Sequence, residues 1–109
     1  MPTRVLFVCS RNRWRSRTAE DLYRETPGLA VRSCGTAKSA VRRVSGELLA
    51  WADVVVCMEA HHRERLVERF GHDALADKTL IVLGIEDVYR RGDPELVAEL
   101  RDGLAGILP

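Results

Sequence analysis

The sequence predicts an α/β fold: a three-layer α-β-α arrangement around a small parallel sheet, with an anion-binding loop after the first strand. Three observations carry this expectation. Short apolar runs alternate with amphipathic segments of helical period along the whole chain. Strands separated by helices need crossover connections, which make a parallel sheet covered on both faces. The first run, Val5-Leu6-Phe7-Val8, has no polar alternation, as expected of a strand buried on both sides.

The elements follow in order. After the strand Val5–Val8, residues 16–26 read as a helix with the Ser16 hydroxyl at its N-cap and Glu20 and Asp21 in its first turns. Pro27-Gly28 marks the turn into a strand over Leu29–Ser33. A helix over 45–52 carries the stripe Val44, Leu48, Leu49 and Ala52. The third strand is Val54–Met58. A helix over 60–70 follows, with Leu66, Val67 and Phe70 inward and Arg63, Glu64, Arg65, Glu68 and Arg69 on a wet face. Gly71 ends that helix, and Leu80–Leu83 is the fourth strand. Asp93-Pro94, a cap followed by a proline at the first helical position, opens a helix over 94–107 with the stripe Leu96, Leu100, Leu104 and Ile107. No repeat, low-complexity tract or linker interrupts the pattern, and 109 residues suffice for one core, so 1–109 reads as a single domain.

Composition narrows the function classes. Apolar residues are 46% of the chain, charged residues 30% and the formal net charge +1, so the chain is neither disordered nor a polycation seeking nucleic acid. No apolar run is long enough to span a membrane, and the first residues lack signal-peptide features, which leads to an expectation of cytoplasmic location. Three irregularly spaced cysteines fit reduced thiols better than a disulfide framework. His61 and His62 begin a helix in a charged setting and are expected on its solvated surface rather than at a metal.

In open parallel sheets ligands bind beyond the carboxyl ends of the strands. The unusual residues gather there: Cys9 after the first strand, Ser33 and Gly35 after the second, Met58 after the third and Gly84–Tyr89 after the fourth. The first turn reads Cys9-Ser10-Arg11-Asn12-Arg13-Trp14-Arg15-Ser16, a thiol and an arginine separated by five residues between a strand and a helix. Backbone N–H groups of such a loop point inward and the helix dipole adds positive potential, so the loop suits an anion. Arg11, Arg13, Arg15 and Arg17 reinforce that sign. A free cysteine has a pKa of about 8.5, and a helix N-terminus or a nearby cation favours its nucleophilic thiolate. Arg15 offers a planar fork that matches two oxygens of a phosphoryl group, and Ser16 a hydroxyl for the sulfur. Attack of sulfur on a phosphate monoester would give a phosphocysteine, and the leaving oxygen then needs a proton donor. Glu86, Asp87 and Asp93 are the candidate acids beyond the last strand. Asp87 is the first choice and Asp93 the reserve, because Asp93-Pro94 also reads as an ordinary helix cap. Tyr89 is placed to flank the leaving group or to cover the sheet end.

These residues resemble the low-molecular-weight protein tyrosine phosphatase family. Val5-Leu6-Phe7-Val8-Cys9 followed by Asn12, Arg15, Ser16 and Ala19-Glu20 is similar to that family's amino-terminal signature, C-x5-R-S. Ser33-Cys34-Gly35-Thr36 resembles its Ser-Ala-Gly-Thr turn, Asp53–Met58 its third strand, and Ile85-Glu86-Asp87-Val88-Tyr89 its Asp-Pro-Tyr acid loop. The resemblance implies a four-stranded sheet of order 2-1-3-4. It implies Cys9 as nucleophile, Arg15 as phosphate clamp and Asp87 as general acid, later the base for water. Asn12 and Ser33 would hold the loop, Ser16 would tune the thiolate, and Ser10, Arg11, Arg13, Trp14 and Tyr89 would lie around the substrate. No metal or organic cofactor is implied. The partners implied are a phosphorylated protein or a small phosphate ester, with inorganic phosphate as product and no role for nucleic acid or membrane.

The chain departs from the family where substrate is met. Arg11 replaces a usual glycine, and Trp14 stands where many members carry a second cysteine able to trap the first as a disulfide. Arg17 and Val88 replace prolines, Arg90 a common second aromatic, and the segment between Thr36 and Arg42 is short, with Ser39 where some members have a histidine. Two other readings stay open. A thioredoxin-coupled arsenate reductase shares the loop but needs two further cysteines beyond the third strand, where only Cys57 lies near. A phosphate-binding module without efficient turnover would keep the arginines and have no use for Asp87.

Overall fold

The structure, a computed structural model, describes residues 2–109. Its sheet consists of β1 (Thr3–Cys9), β2 (Leu29–Gly35), β3 (Val54–Cys57) and β4 (Thr79–Val82), all parallel, in the order β2-β1-β3-β4. This is the order that the resemblance implies. The helices are α1 (Arg15–Tyr23), α2 (Gly46–Trp51), α3 (Ala60–Phe70) and α4 (Pro94–Leu104), with a 3-10 turn at His72–Leu75.

Strand alternation divides the core into two layers. Val5, Phe7 and Cys9 of β1 join Val56 and Met58 in one apolar cluster, closed by Ala19 and Tyr23 of α1 and by Leu96, Leu100 and Leu104 of α4. Leu6 and Val8 join Cys34, Val55 and Cys57 in the other, closed by Leu49 and Ala52 at α2 and by Leu66 of α3. Val5, Leu6, Phe7 and Val8 are all fully buried, so the unbroken apolar run does mark a strand covered on both faces. Each fully buried leucine of α4 removes apolar surface worth about 1.5–3 kcal/mol from water.

Several boundaries differ from expectation. Helix α1 begins at Arg15 with Trp14 as a cap that makes no side-chain hydrogen bond, and its first turn holds no acid. Ser16 lies inside the helix because its hydroxyl is engaged by Asn12 and Cys9. The same helix ends at Tyr23, where Thr26 N–H bonds back to the Tyr23 carbonyl before Pro27. Helix α4 stops at Leu104, since Gly106 turns with φ +77°, so Ile107 is exposed and Leu108 takes the core place instead. The expected caps at Ser45 and Asp93 are present: Ser45 Oγ accepts from Leu48 N at 3.2 Å and Asp93 Oδ1 from Glu95 N at 2.9 Å.

The register places the carboxyl ends of the strands together. Cys9 sits beside Gly35, and Val8 lies between Cys34 and Cys57. Gly35 is the position where only glycine fits, because a Cβ there would collide with the Ser10 carbonyl, the Asn12 nitrogen and Ala40. That close approach lets the turn after β2 back the loop after β1.

Candidate active site

Strand β1 delivers Cys9 to the sheet edge, buried to 3% exposure. Behind the loop, Thr36 N–H bonds the Cys9 carbonyl, Ala37 N–H the Ser10 carbonyl and Val41 N–H the Arg11 carbonyl. Asn12 adopts φ +56°, a left-handed conformation that asparagine tolerates better than most residues. Its buried amide holds that conformation by donating to Ser33 Oγ at 2.9 Å and to Ser16 Oγ at 2.8 Å. Ser33 in turn donates to Glu20 Oε1 at 2.7 Å. Because Ser16 Oγ already accepts from Asn12, its own hydrogen is free for Cys9 Sγ, 2.9 Å away. Asn12 N–H approaches the same sulfur at 3.3 Å. Two donors converge on the sulfur, which suits an anionic thiolate.

Arg15 opens α1 with only 2% exposure. Its Nη1 donates to Glu59 Oε1 at 2.5 Å and to the Ile85 carbonyl at 2.8 Å. Its Nε lies 3.6 Å from Asp87 Oδ1. The Nε–Nη2 edge, which presents two parallel N–H groups, makes no hydrogen bond among the described residues and remains available to two oxygens. Cys9, Arg11, Arg13, Trp14, Arg15 and Asp87 line one cavity of about 50 Å³. That is under two waters' share of liquid volume, room for a phosphoryl-sized group and not for a whole small molecule. A larger hollow of about 730 Å³ between α3 and β4 is lined by no cysteine, serine or threonine and shares no residue with the loop.

The remaining sequence candidates fall into two sets. Arg11, Arg13 and Trp14 are exposed at the mouth, and the Asp87 side chain is half-exposed beside them. The side chains of Ser10, Asn12, Ser16, Ser33 and Tyr89 do not line the cavity: the first four are tied into the loop and Tyr89 packs against the α1–α4 core. Asp93 spends its carboxylate on the α4 cap. Cys34 and Cys57 belong to the core layer opposite Cys9. Burial pushes both thiols up, Cys57 to about 12.

Two residues at this edge escaped the sequence reading. Glu59 precedes α3 and pairs with Arg15; burial opposes its charge, but the Arg15 guanidinium and His61 hold its carboxyl below the usual range. His62, expected on a solvated surface, is fully buried, whereas His61 is exposed. The reason is a capping box: the Glu59 side chain accepts from the third helical N–H, and His62 Nδ1 accepts from Glu59 N–H at 3.0 Å, folding the ring under the turn. The signal was present as Glu59 three residues before His62. Glu59, His61 and His62 bring donor atoms within 4.8 Å of one another, the spacing of a metal site. Both nitrogens of His62 and the Glu59 carboxylate are already taken by protein contacts, so the cluster serves the loop.

Desolvation, aided by the neighbouring charges of His61 and Arg15, pushes the His62 imidazole down to about 3 from 6.5. Between those values the unfolded chain binds a proton that the folded chain does not. Stability should therefore fall as pH drops from about 6.5 toward 3, with His62 contributing up to about 1.4 kcal/mol per pH unit. Urea midpoints measured against pH should show this slope, and His62→Gln should flatten it; an unchanged slope in the variant would assign the acid sensitivity elsewhere.

No protein-family model matches the sequence, and no curated protein is matched by sequence. The structure is nevertheless similar to several solved ones. The YwlE arginine phosphatase from Geobacillus stearothermophilus is 27% identical with a TM-score of 0.66, over 94% of this chain and 86% of that one. SP-PTP, a low molecular weight protein tyrosine phosphatase from Streptococcus pyogenes, is 16% identical with a TM-score of 0.77, over 98% and 94%. The tyrosine phosphatase Wzb from Escherichia coli K30, solved in complex with phosphate, is 22% identical with a TM-score of 0.70, over 94% of each chain. The last two bear on the fold alone. Over nearly its whole length the chain thus shares the fold of these phosphatase structures, with a cysteine and an arginine flanking the loop after β1.

Proposed function

We propose that residues 1–109 act as one catalytic unit, working in a reducing cytoplasm, which hydrolyses phosphate monoesters through a phosphocysteine intermediate. The observation that carries this reading is one small cavity lined by Cys9, Arg15 and Asp87, with the Asp87 carboxylate 3.6 Å from Arg15 Nε. Cys9 Sγ attacks phosphorus as the bond to the leaving oxygen breaks, and Asp87 donates its proton to that oxygen. Water then attacks the phosphocysteine and gives its proton to Asp87, releasing inorganic phosphate and restoring the thiolate. Arg15 and the loop N–H groups meet the equatorial oxygens, where charge spreads in the transition state.

An aryl phosphate such as protein phosphotyrosine fits best. The cavity holds little beyond the phosphoryl group, so the leaving group lies at the mouth beside the exposed Trp14. Similarity to an arginine phosphatase makes phosphoarginine a second reading. Arg11 and Arg13 at the rim weigh against it, because they repel the guanidinium being released and favour an acidic flank on the substrate. An arsenate reductase would need its second thiol near Cys9, but the other two sit on the opposite side of the sheet.

The first test is release of inorganic phosphate from a generic aryl phosphate under reducing conditions, beside phosphoarginine and beside arsenate with thioredoxin. Absence of phosphate release, or binding of phosphoprotein without turnover, would overturn the reading. Asp87→Asn should lower kcat by about 10²–10⁴, more for a strongly basic leaving group. Asp93→Asn should change little, because asparagine caps a helix about as well. Loss confined to Asp93→Asn would move the acid there.

A further inference from the structure

The first turn of α3 grips the nucleophile loop at two points. Glu59 Oε1 holds Arg15 Nη1, and His62 Nε2 lies 2.9 Å from Ser10 Oγ. The ring's hydrogen can be placed by its other contact. His62 Nδ1 accepts from the Glu59 backbone N–H, so the neutral ring carries its hydrogen on Nε2 and donates it to Ser10. Ser10 is the residue after Cys9, and its carbonyl accepts from Ala37 N–H on the other side. The loop's first peptide is thus fastened from two directions, while neither Ser10 nor His62 lines the cavity.

We infer that His62 is a positioning residue of the phosphatase reaction, acting through Ser10 to hold the loop's backbone donors convergent on the phosphoryl group. The inference rests on the phosphatase reading. Asn12 has left-handed φ, a conformation that persists only where the surroundings over-determine it. The chain Glu20–Ser33–Asn12–Ser16 supports the loop from β2 and α1, and His62 supports it from α3. Arg11, exposed at the mouth, makes no side-chain hydrogen bond among the described residues and contributes nothing to that support. Donors that drift lose transition-state binding first, because a ground-state phosphate adapts to a loosened cradle better than a transition state does.

The test compares His62→Phe, His62→Gln, Ser10→Ala and the double variant His62→Phe/Ser10→Ala. Glutamine is the conservative choice: its carbonyl can accept from Glu59 N–H while its amide donates to Ser10. Four readouts are needed: kcat and KM for an aryl phosphate, affinity for orthovanadate against inorganic phosphate, the alkylation rate of Cys9, and the melting temperature. His62→Phe should lower kcat and vanadate affinity about 10–100-fold, with phosphate affinity and KM changed only a few-fold. His62→Gln should recover most of the loss. Ser10→Ala, which spares the buried ring and so guards against a folding defect, should match His62→Phe, and the double variant should be no worse than either. The inference is overturned if Ser10→Ala leaves kcat and vanadate affinity unchanged, if glutamine is no better than phenylalanine, or if the two losses add. Should the natural chain release no phosphate, the phosphatase reading fails, and the vanadate and alkylation series still decides whether His62 shapes the loop.

Discussion

Cys9→Ser should lower kcat for an aryl phosphate by roughly 10⁴-fold or more while leaving phosphate affinity and folding nearly intact. Serine replaces sulfur with a smaller, less acidic hydroxyl at a site buried to 3%, and most of the loop's restraints do not involve the sulfur. These restraints are Asn12 with Ser16 and Ser33, the backbone bonds from Thr36, Ala37 and Val41, and the contact of Ser10 with His62. Nothing replaces the lost nucleophilicity. A serine needs a base to take its proton, and the nearest hydroxyl, Ser16, already accepts from Asn12 and is arranged to donate. His62, the buried imidazole nearest the loop, gives its Nε2 hydrogen to Ser10 and has no lone pair facing Cys9. Steady-state rates, phosphate titration and melting curves on the same preparation check all three parts. A variant retaining more than about one-thousandth of the rate would remove Cys9 from the covalent role; lost phosphate binding would give it a structural one instead.

How much of this was legible in the sequence depends on how far apart the interacting residues lie. Period and turn chemistry located four strands and four helices, because alternation and capping are local signals. The same local reading misjudged Ser16, which looks like an N-cap but is taken by a partner four residues back, and Ile107, whose place at the end of an apolar stripe is lost when Gly106 turns the chain. Around the site, Cys9, Arg15 and Asn12 stand out within one short segment, and Ser33 could be attached to them through resemblance. Glu59 and His62 could not. Arg15 and Glu59 are 44 residues apart and Ser10 and His62 are 52 apart, and they meet only because β3 lies next to β1 in the sheet. Two adjacent histidines in a charged helix read as surface by composition, and only the capping geometry turns one of them inward.

The pairing of Arg15 with Glu59 leads to the second large effect, in which catalysis and stability separate. Arg15→Lys and Arg15→Ala should each lower kcat by about 10³–10⁵, the range for an arginine that stabilises charge on a transferring phosphoryl group. Lysine should rescue little despite keeping the charge. One ammonium cannot both satisfy Glu59 Oε1 and the Ile85 carbonyl, as Nη1 does, and present two parallel donors to the phosphoryl oxygens. Arg15→Ala also strands the Glu59 carboxylate, whose side chain is only 27% exposed, and should cost on the order of 1–3 kcal/mol, less than the loss of a fully buried pair. Adding Glu59→Gln to Arg15→Ala removes the stranded charge, so the double variant should regain stability over Arg15→Ala and regain no activity. Denaturant midpoints and kcat measured together across the single and double variants test this. Recovery of rate along with stability would mean that Arg15 acts by holding the fold, since a group that stabilises the transition state directly cannot be replaced by relieving its partner.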